Sequence, residues 1–412
     1  MRPPAHILLV NVHFAPFSYG GATVVAEAVA GHLRRDHGCR VTAVSSILQP
    51  DLPPYTVIRA DTDLGPNYMI NLPRRLGYVD SYANAEVDRI IAGLMTDLAP
   101  DLVHAHCLQG LGAGVLELAK ARAIPVVLSM HDFWWICERQ FMLRANGRYC
   151  AQDPVRLQDC KGCVADLTRA KQRSTWLAQA VTQADLVTFP SAFAQDLSQR
   201  SGITPRVSAV WSNGITPPGA TFFDRQAARR AGDGRLVFGY LGGPSQVKGW
   251  PLIKAAFSSG LERGDFRGLL VEAGLNESWW AGQRLDRLAG DWSVHPRFEQ
   301  AGMDAFYEKI DVLLFPSQWK ETFGLSLREA AARGIRVIQT DAGGAAEWDG
   351  VEPEALMPIG AGAEALRERI RSVLASPEAH PPPRAMPGFN DQAAAFINLL
   401  QDLPDPPSPG KS

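Results

Sequence analysis

The sequence has no apolar run long enough to cross a bilayer. Runs such as Ile7 to Val10 hold only a few residues, whereas a spanning helix needs about 20. It also has no marked excess of charge. There are 41 Lys and Arg against 43 Asp and Glu, a net charge of −2, so a general affinity for nucleic acid is excluded. Met1-Arg-Pro-Pro carries a basic residue but no apolar signal core or cleavage site, and a cytoplasmic location is expected. Cysteine is scarce, at six in 412 residues. In a reducing compartment those six point to metal or thiol roles instead of disulfides. The first strand is not followed by the full spaced-glycine dinucleotide fingerprint.

What is present describes a globular chain, 46% hydrophobic and 20% charged, too long for one ordinary core. His6–Asn11 reads as a buried strand, followed by a helix over 22–35 with Val25, Val29 and Leu33 on one face, and by a strand over 41–45. Gly20-Gly21 thus lies at a strand's carboxyl end, before a helix. Residues 51–80 read as an irregular surface loop, and 87–98 as an amphipathic helix. Strands follow at 101–106 and 125–130. His104 and His106 alternate onto one face of the first, a spacing that could bind metal. With no third ligand nearby in sequence, His104 reads as a core histidine and His106 as the one nearer a crevice. His131-Asp132 stands just past the strand over 125–130, where a doubly wound sheet points side chains into its ligand crevice. Further strands at 184–191 and 207–211 lead to the Asn213-Gly214 turn and a Pro217-Pro218-Gly219 linker.

The second half restarts with a strand over 236–241. Lys248-Gly249 then precedes a helix over 250–257, well placed for a diphosphate. Strands over 269–273 and 293–298, with a helix between them that packs Trp279-Trp280, lead to a helix over 303–310. Residues 377–387 are proline-rich and break regular structure. The expected organisation is α/β: a domain over 1–216, a second over 217–387, a terminal helix over 388–403 and a flexible tail over 404–412.

The most informative stretch is Asp311 to Glu347. A strand over 312–315 ends at Pro316-Ser317. A loop holds Glu321-Thr322-Phe323-Gly324-Leu325, and a helix over 326–333 stops at Gly334. A helix starting beyond a strand's carboxyl end offers free N–H groups and a positive dipole end to phosphate. Glu321 and Glu329 flank it, with seven residues between them. Carboxylates there suit neutral hydroxyls such as those of a sugar and a ribose. Ser326 to Glu329 can alternatively be read as a capping box in which Glu329 serves its own helix.

The phrase FPS…ETFGLSLREA closely resembles the E-x7-E segment of retaining glycosyltransferases, especially glycosyltransferase family 4. The segments over 6–35 and 101–132 resemble that family too. The resemblance implies a GT-B fold, with two doubly wound Rossmann-like domains facing a central cleft. It implies transfer of a sugar from a nucleotide-diphosphate donor, with retention, to a glycan, lipid-linked or other hydroxyl acceptor. His131, Lys248 and Glu321 are the catalytic candidates. Gly20, Gly21, Lys248, Glu321, Thr322, Phe323, Gly324, Leu325, Ser326 and Glu329 are the donor-binding ones, with Glu329 on the ribose. No Asp-x-Asp pair stands where it would hold a catalytic metal, and the family needs none. Family members usually carry an arginine five residues before the lysine; here that position is Gly243. A lipid-linked acceptor implies peripheral contact with the inner face of a membrane. A GT-B nucleotide-sugar epimerase and a catalytically inactive GT-B assembly protein are the alternatives.

Cys137, Cys150, Cys160 and Cys163 cluster within a polar, turn-rich insertion, and Cys160-Lys-Gly-Cys163 has the compact spacing of a chelating loop. The expectation is one structural zinc, with an iron–sulfur cluster as the alternative. Cys39 and Cys107 read as packing residues.

Overall fold

The computed structural model describes residues 3–261, 264, 266–274, 277–349, 351 and 355–403. The expected tail lies outside them. The described chain divides into two compact α/β units. The first draws on residues up to Phe141, on Gln152–Gly214 and on Phe389 onward; the second on Met142–Ala151 and Ile215–Gly388.

The first unit is built on eight strands: β1 (His6–Val10), β2 (Arg40–Ile47), β3 (Val57–Thr62), β4 (Gly65–Asn71), β5 (Leu102–Ala105), β6 (Val126–Ser129), β7 (Leu186–Phe189) and β8 (Ser208–Val210). Their order is β3-β4-β2-β1-β5-β6-β7-β8. Every neighbouring pair is parallel except β3 with β4. β1, β5, β6 and β7 are buried along their whole length, which is why they read as short, mostly apolar runs without polar alternation. β1 pairs with β2 on one side and with β5 on the other. It marks the topological switch, where ligands of such sheets bind. The helix Gly21–His37 buries Val25, Val29 and Leu33, the stripe its spacing predicts.

The β3–β4 hairpin corrects the reading of 51–80 as irregular. β3 is an edge strand whose alternate residues Val57, Arg59 and Asp61 are exposed, so it shows no apolar alternation. Its turn is the pair Asp63-Leu64, closed by Thr62 opposite Gly65. The helix Phe389–Gln401 belongs to this unit. Gln392 accepts from the Gly214 amide at 2.7 Å, and its own carbonyl accepts from the Trp211 indole at 2.9 Å.

The second unit holds β9 (Leu236–Tyr240), β10 (Phe266–Val271), β11 (Asp291–His295), β12 (Val312–Phe315) and β13 (Arg336–Gln339). They are all parallel, in the order β11-β10-β9-β12-β13. Side chains of β9 alternate between two cores. Phe238 and Tyr240 pack with Trp250 and Phe257, while Val237 packs with Phe306 and Leu313. β9 lies between β10 and β12 and is the switch strand of this sheet. The helix expected between β10 and β11 is not among the described residues, where only a 3-10 turn, Leu285–Arg287, is found. Gly282 and Arg284 both have positive φ, +73° and +54°, which breaks a right-handed helix. Trp280 packs from this loop, its indole donating to the Val271 carbonyl at 2.9 Å.

Asp311, 2% exposed, ties the unit together just before β12. Its carboxylate accepts two bonds from Arg229 (2.7 and 2.9 Å), one from Arg230 (2.9 Å) and one from the Val237 amide (3.0 Å). Burial alone would raise its pKa, but Arg229 and Arg230 hold it below the ordinary value. Asp311→Ala strands two partly buried cations and should cost about 3–5 kcal/mol, read from the denaturation midpoint. A depressed carboxyl stabilises above its unfolded pKa. The stability gap between wild type and variant should therefore close as pH falls through the native pKa of Asp311.

Candidate active site

At the switch of the second unit, the loops after β9 and β12 meet. Lys248 and Glu321, remote in sequence, form an ion pair: Nζ donates to Oε1 at 2.7 Å. Ser317 Oγ donates to the same oxygen at 2.8 Å. The Lys248 ammonium also lies 5.2 Å from the centroid of the Trp319 ring. Glu321 is nearly buried, at 9% side-chain exposure, while Lys248 is 38% exposed, so the lysine is the partner open to a ligand. The backbone of Glu321 is pinned on both sides, its N–H to Ala342 O at 3.0 Å and its carbonyl to the Gly344 N–H at 2.9 Å. Gly249 is required here. It has φ +86°, and a Cβ would stand 2.1 Å from Pro316 O. A cavity of roughly 130 Å³ is lined by Tyr240, Gly242, Lys248, Phe315, Ser317 and Ser326. Gly20 and Gly21 belong to the other unit and are described below.

The helix begins at Leu325, one residue earlier than the sequence suggests, and runs to Ala332. Gly324, at φ +85°, is its N-cap, and no side chain caps it. The first amides are thereby left to an incoming acceptor. The alternative reading of Glu329 as a capping residue is corrected by this geometry. Glu329 lies five positions past the cap, and its Oε2 is 2.9 Å from the Tyr307 hydroxyl. Burial pushes the Glu329 carboxyl up, opposed by Tyr307 and Arg333. Arg333 donates to the Glu329 carbonyl at 3.1 Å and to Asp304 at 2.8 Å.

Thr322 and Phe323 lie in the loop before the cap. Phe323 is covered by the Arg328 guanidinium, 3.7 Å from its ring centroid. Arg328 also donates to Gly344 O at 3.1 Å and to Glu347 O at 2.7 Å. It binds the cap loop to the loop after β13, a role that sequence reasoning missed; the one signal was an arginine in a short helix that is otherwise mostly buried. Burial lowers its pKa to about 10, so it stays charged at neutral pH.

In the first unit, Gly20 caps the helix Gly21–His37 at φ +84°, again without a side-chain cap. Asn11, just past β1, accepts from the Cys107 amide at 3.0 Å and donates to Thr23 Oγ1 at 3.2 Å. It holds the ends of β1 and β5 to the first turn of that helix. His131 Nε2 lies 2.8 Å from His106 Nδ1, and the two rings are nearly parallel with centroids 5.1 Å apart. His104 continues the stack at 4.0 Å from His106 and lies on Phe396 at 4.4 Å. His104 Nε2 also meets Ser129 Oγ at 2.8 Å. His106 is as buried as His104, each 1% exposed, and it meets the half-buried His131 through Nδ1. Burial lowers the His131 pKa to about 4 and that of His104 to about 3, and takes His106 well below its usual value. All three rings are neutral at neutral pH, and one proton is shared between His106 and His131. His131 can therefore exchange a hydrogen bond with a hydroxyl but does not act as a cation. Asp132 turns the chain beneath it, accepting from the Trp134 amide (2.8 Å), Gln140 (2.7 Å) and Gln109 (2.9 Å).

The cysteine insertion is only partly organised. Cys160–Cys163 makes a tight turn: the Cys163 amide donates to Cys160 O at 2.8 Å, with Gly162 at φ +81°. Cys150 N–H donates to Met142 O at 2.8 Å, beside the Leu143–Tyr149 bridge of a short hairpin. None of the four is in a disulfide, and all are half-buried. Among the described residues, no group of three or more His, Cys, Asp or Glu is placed to hold a metal ion. The four-cysteine ligand set expected from the sequence is thus not assembled in this structure. No helix of the described residues is long and apolar enough to cross a membrane.

Residues 19–217 match the family description Glycosyltransferase Family 4, and residues 235–376 match Glycosyl transferases group 1. The chain is 24% identical over 376 residues to an uncharacterized 42.6 kDa protein in the cps region of Klebsiella pneumoniae, covering 84% of this chain and 88% of that protein. Sucrose-phosphate synthase from Thermosynechococcus elongatus superposes with a TM-score of 0.65 at 18% identity, covering 96% of this chain and 94% of that one. Anabaena HepE, solved in complex with UDP-glucose, superposes with a TM-score of 0.59 at 15% identity, with coverages of 96% and 94%. Residues 19–217 thus carry a Glycosyltransferase Family 4 domain and residues 235–376 a Glycosyl transferases group 1 domain, and the chain is a GT-B glycosyltransferase.

Proposed function

We propose that the protein is a retaining, metal-independent glycosyltransferase. It moves a sugar from a nucleoside-diphosphate donor to a hydroxyl of a glycan or lipid-linked acceptor. The observation that carries this reading is one cavity lined by Lys248 and by Ser326 of an uncapped helix start, with Glu321 paired to that lysine. The amides at Leu325 and Ser326, with the helix dipole behind them, take the diphosphate, and Lys248 supplies the countercharge as the bond to the leaving group breaks. A diphosphate competes with Glu321 for Lys248. As the lysine turns to phosphate, Glu321 is freed to accept from a hydroxyl of the donor sugar. Glu329, oriented by Tyr307, holds the ribose. His131, neutral, hydrogen-bonds the transferred sugar, and Gly20-Gly21 leave the backbone open to a ligand. Both carboxylates already have assigned partners, so neither is offered as a nucleophile. Retention then proceeds through an oxocarbenium-like state: the bond from the anomeric carbon to the diphosphate breaks, the acceptor hydroxyl oxygen bonds to that carbon on the same face, and its proton passes to the departing phosphate oxygen. The complex of HepE with UDP-glucose supports the donor class. A cytoplasmic enzyme with peripheral contact at the inner face of a membrane suits a lipid-linked acceptor.

Glu329→Gln preserves an oxygen for Tyr307 but removes the ribose-binding charge. UDP-glucose affinity, measured by calorimetry, should fall by about tenfold or more. Unchanged affinity would remove Glu329 from the donor site.

Lys248→Ala should lower kcat/KM by more than about tenfold, corresponding to roughly 1.5–3 kcal/mol for a charged hydrogen bond. Restoring the family's arginine at Gly243 should not compensate. That residue has φ +64°, and a Cβ there would stand 2.6 Å from the Trp279 ring. Gly243→Arg should melt earlier than wild type; a variant that is both stable and more active would contradict this.

The cysteine insertion carries a separate proposal, supported by the Cys160–Cys163 turn. Cys137, Cys150, Cys160 and Cys163 close on one structural zinc when the protein is loaded. Elemental analysis of untagged protein should find about one zinc per chain, lost in the double variant Cys160→Ser/Cys163→Ser. Iron with visible absorbance would replace zinc by a cluster, and metal-free protein with four titratable thiols would overturn the proposal.

A further inference from the structure

The second unit contains another cavity, of roughly 580 Å³, a size that suits a small metabolite. Its walls come from the last turn of the helix Leu325–Ala332, from β13, from Trp348, from the helix Ala363–Leu374 and from the proline-rich segment before Gly388. None of the residues lining the cavity beside Lys248 contributes to it.

Its polar lining is unsatisfied. Of ten buried side-chain atoms without a hydrogen-bond partner among the described residues, three belong to residues of this one cavity: Gln339 Oε1, Trp348 Nε1 and His380 Nδ1. Gln339 is only 5% exposed. Buried polar atoms are normally paired, and such orphans scattered singly would mean little. Gathered in one hollow, they amount to an acceptor, a donor and an imidazole nitrogen awaiting a partner.

The charge of the lining narrows that partner. Arg336 and Arg384 both contribute, and no Asp or Glu is among the lining residues. Arg336 is oriented by backbone carbonyls, donating to Ser376 O at 2.6 Å and to Pro377 O at 2.9 Å, and the carboxylates of Asp311 and Glu378 act on it from outside the lining. Arg384 is anchored through its backbone amide to Ala331 O at 3.0 Å, with its guanidinium 5.9 Å from the Trp348 ring centroid. Water could fill the orphan positions, but water gives no reason for two arginines and no carboxylate. Val337, Leu356 and Val373 supply an apolar wall.

We propose that this cavity is a second ligand site, specific for a phosphorylated sugar. The phosphate meets Arg336 and Arg384, where guanidinium geometry favours it. The hydroxyls pair with Gln339 Oε1, Trp348 Nε1–H and His380, and the C–H face of the ring packs on the apolar wall. β13 ends at Gln339 and continues into Thr340, whose hydroxyl donates to Ser317 O at 2.6 Å. The ligand therefore grips the strand that leads to the Lys248–Glu321 site.

The test is calorimetric titration of the full chain, held in saturating UDP, with glucose 1-phosphate, glucose 6-phosphate and fructose 6-phosphate. Inorganic phosphate and glucose are the controls. A separate titration of UDP reports on the donor site, so failure there is distinguishable from failure here. At least one sugar phosphate should bind saturably. Arg384→Ala and Gln339→Leu should each weaken it by about tenfold or more, and Arg384→Ala should leave UDP affinity unchanged. The Arg384 side chain is exposed, so its removal should leave the melting temperature near wild type and keep the test valid if Gln339→Leu misfolds. The proposal is overturned if none of the three sugar phosphates binds, if binding is the same in Arg384→Ala as in wild type, or if inorganic phosphate binds as tightly as the sugar phosphates.

Discussion

The site in the second unit depends on one electrostatic constraint, a carboxylate at Glu321 that is almost out of water. A buried carboxylate is costly unless paired and hydrogen-bonded. Lys248 and Ser317 meet that need, and in doing so they join the loop after β9 to the loop after β12. An ion pair with one exposed partner contributes little to stability on its own. Its value here is positional. It fixes a cation beside an uncapped helix start, with the Glu321 backbone pinned to Ala342 and Gly344. Gly249 is part of the same constraint, because any side chain there would collide with Pro316 O.

The first unit solves a different problem with uncharged groups. Three histidines at the ends of β5 and β6 are stacked and desolvated until none carries a charge at neutral pH. The stack rests on Phe396, which comes from the last helix of the chain. That helix is held by Gln392, whose carbonyl and side chain accept from Trp211 and Gly214. Residues nearly three hundred positions after His104 thus set the environment of His131. The two units use opposite electrostatics: a cation with helix amides in one, neutral rings in the other.

Much of this was legible in advance. Strands buried on both faces betray themselves as apolar runs, and β1, β5, β6, β9 and β12 all read that way. The helix stripes at Val25, Val29 and Leu33, and the short helix after Gly324, were legible from spacing and glycine. The hairpin β3–β4 was not, because an exposed edge strand has no apolar alternation to read. The helix expected between β10 and β11, not found among the described residues, was misread for a related reason: Trp279-Trp280 signals burial, but a tryptophan can be buried from a loop when its indole finds a carbonyl, as Trp280 does at Val271. Arg328 was passed over because an arginine in a helix ordinarily faces solvent, and only the folded loops after Phe323 and Gly344 show what it holds.

By itself, the sequence determined the fold class and the likeness to GT-B glycosyltransferases, because apolar periodicity, glycine positions and the E-x7-E phrase are local properties of the chain. The tertiary structure decided which residues act together. Lys248 meeting Glu321, Tyr307 rather than a helix cap meeting Glu329, and His106 meeting His131 are contacts between separated segments, and no local pattern encodes them. The same holds for the cavity walled by β13 and the proline-rich segment. Its arginines and orphaned polar atoms are unremarkable one at a time along the chain, and they acquire meaning only where folding excludes water around them.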